Sequence, residues 1–221
     1  KLAQDRNFVQ IISLVERVCG ICSHSHAWTY CRCIEEIAHM ELSKRAEYIR
    51  IVITEIERIH SHLLWLGVAC HVIGHDSMFM HIWDEREETM RILENLTGNR
   101  VNYAVNIIGG VRRDISPEQI AMTLKAMDNL EEIMKRDADF LTGDKTIAMR
   151  TQGVGILTTE DAIRTGAEGP HVRASNVPND VRKDAPYSSY EDFDFNVCTY
   201  HTCDVFARVV VRVLEVFESI K

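Results

Sequence analysis

Two cysteines near the beginning of the sequence have the spacing of a metal-binding turn. Cys19 and Cys22 enclose only two residues, so their thiolates can converge on one ion, and we expect Gly20 to permit the tight backbone that this requires. Thiolates suit soft or borderline metals. His26 and Arg17 flank the pair and can offset thiolate charge. Cys19, Cys22, His26 and Arg17 are therefore the candidate site residues.

The other cysteines leave two alternatives for this segment. The chain has seven cysteines, an odd number, which argues against a disulfide framework and favours metal or redox use in a reduced compartment. A zinc knuckle would also recruit Cys31 and Cys33, but the apolar spacing predicts a helix over Ala27–Met40, where residues two apart point about 200° apart. A thioredoxin-like dithiol would need a preceding strand and a βαβ context, and neither is evident.

The ten histidines differ in what their positions suggest. His60 falls on an apolar stripe of a predicted long helix, which favours a hydrogen-bonded core histidine over a metal ligand. His71 and His75 are four residues apart on one helical face, but no Glu stands between them as in metalloproteases, so packing or a partner contact is favoured. His24 and His26 both closely follow the cysteine turn, and we favour His26 as a hydrogen-bond donor to a metal-bound thiolate.

Hydrophobic periodicity predicts a mainly α-helical protein with long buried central helices, a loop-rich segment and minor β structure. Ser43 is the expected N-cap of the longest helix, and Ser116 followed by Pro117 marks another helix start. A short strand is possible within 101–108, and one short helix is expected in the loop-rich segment of about 143–202. Residues 8–14 form a short apolar periodic stretch that leads into the cysteine turn. The predicted helices cover 27–40, 44–74, 77–96, 117–140, 159–165 and 205–220.

Composition excludes several classes of protein. The sequence is 46% hydrophobic with a formal net charge of −8, which fits a globular protein and argues against a general nucleic-acid binder. The longest nearly apolar run, Leu63–Gly74, is too short for a membrane-spanning helix, which needs about 20 residues. The first residue is Lys rather than Met. We therefore expect residues 1–221 to be a single partial domain that lacks N- and C-terminal parts.

The segment Glu16–His26 resembles the first metal-binding motif of [NiFe] hydrogenase large subunits, Arg-X-Cys-Gly-X-Cys-X-X-X-His. Further segments resemble the energy-converting, membrane-bound group of these enzymes. They are shared with the homologous catalytic-core subunit of respiratory complex I and with its coenzyme F420-oxidising relatives, so the resemblance covers essentially the whole chain. These segments are Ser61–Gly67, Leu96–Arg100, Ile108–Arg112, Gly169–Ser175, Asp180–Asp184 and Asp204–Arg208.

This resemblance implies a nickel ion held by four thiolates, two of which bridge to an iron that carries cyanide and carbon monoxide. Cys19 would be a terminal nickel ligand, Cys22 a bridging ligand, and His26 a hydrogen-bond donor near the bridging sulfur. The implied activity is reversible formation and heterolysis of dihydrogen. The implied partners are an iron–sulfur small subunit, which supplies electrons, and membrane subunits. The implied location is peripheral, on the cytoplasmic side of the membrane.

Two departures from the family pattern bear on this interpretation. The second ligand pair, in an Asp-Pro-Cys-X-X-Cys motif, is absent, and Cys198 and Cys203 do not replace it because four residues separate them. We interpret this as truncation, and we expect the fragment alone to be inactive. Asn176 stands where Gly is usual, although Asn tolerates a left-handed backbone.

The two thiols distinguish this chain from its relatives in complex I. The complex I subunit lacks them because its cavity binds quinone, so the hydrogenase interpretation is favoured. The alternatives are a quinone- or F420-linked dehydrogenase core subunit with incidental cysteines, and a non-catalytic assembly subunit that binds zinc.

Overall fold

The computed structural model describes residues 1–221 and is mainly α-helical, as predicted. Its β structure is one antiparallel pair, in which β1 (Asn106–Ile107) and β2 (Gly110–Val111) place Asn106 opposite Val111. Short 3₁₀ segments lie at Leu2–Asp5 and Tyr190–Asp192. The α-helices are α1 (Phe8–Glu16), α2 (Ser23–Ile37), α3 (Lys44–Val72), α4 (Asp76–Thr97), α5 (Pro117–Gly143), α6 (Lys145–Thr151), α7 (Thr159–Arg164), α8 (Pro170–Arg173), α9 (Val181–Asp184) and α10 (Val205–Ile220).

The predicted helix starts are confirmed where a side chain caps the first turn. The Ser43 hydroxyl accepts a hydrogen bond from the Ala46 amide at 3.3 Å, and the Ser116 hydroxyl accepts one from the Gln119 amide at 3.3 Å. Such a cap satisfies an amide that has no partner inside the helix. The bounds of α10 match the prediction, and the possible strand within 101–108 is present as β1.

The loop-rich segment contains more helix than the single short one predicted. Besides α7, it holds α6, α8 and α9, which have four to seven residues each. Helices this short carry no apolar stripe for periodicity to detect. Two of them, α6 and α9, begin at a residue whose side chain caps the first turn, and α8 begins with Pro170. The Asp144 carboxylate accepts from the Ile147 amide, and the Asp180 carboxylate accepts from the Arg182 amide.

The chain divides into two compact units, of which the first comprises Lys1–Ser61 and Arg86–Ala126. A buried ion pair organises its interior. The Arg50 guanidinium donates to both oxygens of Glu35, at 2.7 and 2.9 Å, and to the carbonyls of Ile107 and Gly110, each at 2.8 Å. These bonds fasten α2 and the β1–β2 turn to α3, because a buried charge is stable only when it is paired and hydrogen-bonded.

The second unit comprises His62–Glu85 and Met127–Lys221. One of its buried carboxylates, Glu215, accepts from Arg173 at 2.6 Å and contacts His62 Nε2 at 2.7 Å. Burial acts against the charged form, but the bonds from these two side chains prevail and lower the pKa of Glu215 to about 2. Asn176 has φ of 62°, so the left-handed backbone expected there is confirmed. That residues 1–221 form one partial domain stays a prediction.

No helix in the structure combines the length and the apolar character that a membrane crossing requires.

Candidate metal centre

The first unit brings three of the four predicted site residues together. The Sγ atoms of Cys19 and Cys22 and a ring nitrogen of His26 all lie within 4.8 Å of one another, and each residue is partly buried. The turn follows α1 and leads directly into α2, whose N-cap is Cys22. The His26 amide donates to the Cys22 carbonyl at 3.2 Å, so the first turn of α2 fixes the imidazole relative to the thiol.

The two thiols have different electrostatic environments. Cys19 Sγ accepts hydrogen bonds from the amides of Ile21 and Cys22, each at 3.3 Å. Burial acts to raise the pKa of Cys19, but the bond from the Cys22 thiol and the two amide bonds outweigh it and lower that pKa. Burial raises the pKa of Cys22 to about 12, and the bond to Cys19 adds to this. The Cys19 thiol therefore ionises more readily than the Cys22 thiol.

The structure assigns Arg17 a local contact. Its guanidinium donates to the Ser13 carbonyl at 2.8 Å, which is an exposed bond across the last turn of α1. This bond caps a helix end and gives no contact with sulfur. A role for Arg17 beside the thiolates stays a prediction.

A buried carboxylate from α3, which the sequence analysis missed, holds the first turn of α2. Glu57 Oε1 accepts from the His24 amide at 2.8 Å, and Oε2 accepts from the Ser25 amide at 3.1 Å and the Ser25 hydroxyl at 2.5 Å. Amides at a helix N-terminus have no partner within the helix and attract negative charge. Burial nevertheless raises the pKa of Glu57 to about 7.

His24 faces the protein interior rather than the thiols. Its ring is buried, with Nε2 3.0 Å from the Arg50 carbonyl and Nδ1 2.9 Å from Asn106 Nδ2. Both ring nitrogens are therefore engaged, and burial lowers the pKa of His24 to about 3. A neutral imidazole in these contacts positions the turn and leaves no nitrogen for a metal.

His60 is a hydrogen-bonded core histidine, as its place on the apolar stripe suggested. Its Nε2 lies 3.1 Å from the Tyr103 hydroxyl, and Arg86 donates to its Nδ1 at 3.2 Å. Burial and the adjacent Arg86 lower the pKa of His60 to about 3, against a hydrogen bond to the Ile21 carbonyl, which lies inside the cysteine turn. His60 thus links the cysteine turn to Tyr103 and Arg86.

The loop between α4 and β1 covers the turn. Glu16 is buried and accepts from the Ala104 amide at 2.6 Å, and the Ser23 hydroxyl donates to the Val101 carbonyl. The expected need for Gly20 is not borne out. Its φ lies outside the left-handed region, and an added Cβ would lie 3.6 Å from the Val101 side chain, an ordinary contact. The turn is tight because Cys19 Sγ accepts the following amides.

The remaining candidates lie elsewhere. Cys31 is buried and Cys33 is exposed, so they point apart, as the helical geometry predicted. His71 pairs with Asp76 at 2.6 Å, and the ring of His75 packs against Phe140 at 5.3 Å, so neither joins a cluster of metal ligands with the other.

The donor set fits a soft or borderline metal. Two sulfur ligands are available, Cys19 Sγ, which accepts two amide hydrogen bonds, and the adjacent Cys22 Sγ. The His26 imidazole adds a hydrogen-bond donor or a third ligand. Bound metal would displace the proton that Cys22 retains. Two thiolates account for half of a four-thiolate nickel site.

Two family models together match almost the whole chain. A family described as the 49 Kd subunit of the respiratory-chain NADH dehydrogenase matches residues 72–221, and one described as nickel-dependent hydrogenase matches residues 1–68. The chain therefore belongs to the family of catalytic-core subunits that contains nickel-dependent hydrogenases and the complex I 49 kDa subunit.

Individual relatives come from both branches. The membrane-bound hydrogenase subunit alpha of Pyrococcus furiosus is 42% identical over 97% of this chain and 52% of its own length. A subunit of the F(420)H(2) dehydrogenase of Methanosarcina mazei is 37% identical over 100% of this chain and 59% of its own. The carbon monoxide-induced hydrogenase of Rhodospirillum rubrum is 37% identical over 99% of this chain and 61% of its own length. The chain thus spans little more than half the length of these relatives.

Proposed function

We propose that this chain is part of the large subunit of an energy-converting [NiFe] hydrogenase, which reversibly forms and cleaves dihydrogen. The single observation that carries the proposal is the cluster of Cys19, Cys22 and His26 at the start of α2. A nickel–iron centre, with cyanide and carbon monoxide on the iron, supplies the dihydrogen chemistry when it is bound.

The residues of this chain would hold and orient one side of that centre. Cys19 and Cys22 would supply two of the four thiolates, and the Cys19 amide bonds lower the cost of its negative charge. His26 would donate a hydrogen bond to the Cys22 sulfur. Glu57 would fix the angle at which α2 presents both residues, because it binds two amides of the first turn. The proposal requires two further thiolates, which the family motif supplies outside residues 1–221.

The proposed partners are those that the family resemblance implies. Electrons would arrive through a small subunit with an iron–sulfur cluster, and membrane subunits would couple the reaction to ion transport. The Pyrococcus relative is named as membrane-bound. We therefore propose a peripheral location on the cytoplasmic side of a membrane, held by those partner subunits.

Metal analysis of the full-length protein, purified in its complex, tests the proposal. We expect one nickel and one additional iron per chain, and loss of both the nickel and hydrogen evolution in Cys19→Ser and Cys22→Ser. Cys33→Ser is the matched control, because Cys33 is exposed on α2, the helix that follows the turn. This variant should leave nickel and activity unchanged. Zinc alone, or nickel retained in both variants, would contradict the assignment.

A second candidate is a quinone- or F420-linked dehydrogenase core subunit. The 49 Kd match over residues 72–221 and the Methanosarcina relative favour it. The same preparation distinguishes the two, because a dehydrogenase core subunit would contain no nickel and would keep its activity in Cys19→Ser.

A further inference from the structure

A second cluster of potential metal ligands lies in the second unit and shares no residue with the cysteine turn. His81 and Glu85 are one turn apart on α4, and Asp137 lies on α5. His81 Nε2 is 3.0 Å from Glu85 Oε1 and 3.1 Å from Asp137 Oδ1, and all three potential ligand atoms lie within 4.8 Å of one another.

The two carboxylates are buried deeply and incompletely satisfied. Their side chains are only 8% (Glu85) and 5% (Asp137) exposed. Glu85 Oε2 and Asp137 Oδ2 are buried and have no hydrogen-bond partner. A buried, unpaired carboxylate oxygen is costly, and burial of two carboxylates side by side is more so unless a cation lies between them. The imidazole is 54% exposed, which leaves the cluster open to solvent on one side.

We propose that His81, Glu85 and Asp137 bind a divalent transition-metal ion, for which Zn²⁺ is the best match. One imidazole and two carboxylates are ligands that Zn²⁺ takes in tetrahedral sites, with a water molecule in the fourth position. A Mg²⁺ or Ca²⁺ site would use oxygen ligands alone, and the imidazole disfavours both. The ion would tie α4 to α5 within the second unit.

A shared proton is the competing occupant. Burial, and then the neighbouring Asp137 carboxylate, raise the pKa of Glu85 to about 9, so one proton held between the carboxyl groups can also relieve their repulsion. The His81 ring lies within hydrogen-bond distance of both carboxylates with either occupant, so only the presence of metal distinguishes the two. The experiment therefore measures metal and removes each ligand separately.

Zinc binding is best measured in the full-length protein that carries Cys19→Ser and Cys22→Ser. This background removes the cysteine turn, and the ligand variants below separate zinc bound at His81, Glu85 and Asp137 from zinc bound at any other thiolate, so the result does not depend on the proposed hydrogenase function. When zinc is added back after a chelator has removed bound metal, we expect one Zn²⁺ to bind per chain. Loss of a direct ligand should weaken binding by at least about 100-fold, since loss of a mere outer-sphere partner costs 10–100-fold. We expect this loss in Glu85→Gln, Asp137→Asn and His81→Gln.

The matched control is His71→Gln with Asp76→Asn, which removes an exposed imidazole–carboxylate pair and should leave zinc affinity unchanged. Zinc-edge X-ray absorption of the background protein should show nitrogen and oxygen neighbours at about 2.0–2.2 Å. This measurement decides the question even where a ligand variant fails to fold. No bound zinc, unchanged affinity in all three ligand variants, or a sulfur neighbour at about 2.3 Å would overturn the proposal.

Discussion

The contact of Glu57 with the first turn of α2 makes a quantitative prediction for Glu57→Gln. In the native protein, each carboxylate oxygen accepts one amide, from His24 or Ser25. The replacement keeps the shape but turns one oxygen into an NH₂ group, which cannot accept. Whichever way the new amide is turned, one of the two backbone donors loses its partner. A buried donor without a partner costs about 1–3 kcal/mol.

Hydrogen exchange followed by mass spectrometry on the full-length protein measures this cost locally. The loss corresponds to roughly 5- to 150-fold faster exchange of the affected amide when local opening governs exchange. Glu132→Gln, which changes an exposed carboxylate on α5, is the control and should leave exchange at His24 and Ser25 unchanged. Native-like exchange at both amides in Glu57→Gln would refute the view that this carboxylate fixes the turn.

Three further predictions concern the two units and the metal. Arg50→Met should lower the free energy of unfolding by about 3–5 kcal/mol in urea denaturation, because it leaves Glu35 buried without its partner; a loss below about 1 kcal/mol would contradict this. The folded-state pKa of Glu215 is depressed to about 2, so ionised Glu215 contributes about 3 kcal/mol to the free energy of unfolding above pH 4.5, and this contribution is lost as the pH falls toward 2. Glu215→Gln should therefore flatten the dependence of the free energy of unfolding on pH between 4.5 and 2. Cys19→Ser should lower the nickel content of the purified complex to background, and retained nickel would exclude a ligand role.

The helices could be predicted from the sequence where periodic apolar residues or a serine N-cap indicated them. The periodic apolar residues of α3 and α10, and the serine caps at 43 and 116, predicted elements whose bounds agree within a few residues. The helices α6, α8 and α9 were missed because each is too short to show a period. The caps of α6 and α9, Asp144 and Asp180, were visible in the sequence but resemble the many aspartates of ordinary turns.

The candidate site was predictable only in its local part. The grouping of Cys19, Cys22 and His26 follows from their proximity along one turn and the helix after it. Glu57 stands 33 residues from His24, and Tyr103 stands 43 residues from His60. No spacing rule links residues at such separations. The one signal in the sequence was a charged residue, Glu57, among the apolar positions of α3, and it could have indicated a buried contact for this carboxylate.

The support of the cysteine turn by distant parts of the chain has a consequence for the order of maturation. A synthetic peptide of residues 16–40 would carry every local donor of the turn, yet it would lack Glu57, which anchors two amides of its helix, and Asn106, which engages His24. Such a peptide should hold nickel loosely and without defined geometry. A growing polypeptide on the ribosome meets the same limitation, so ordered loading of the proposed metal would follow the synthesis and docking of residue 106.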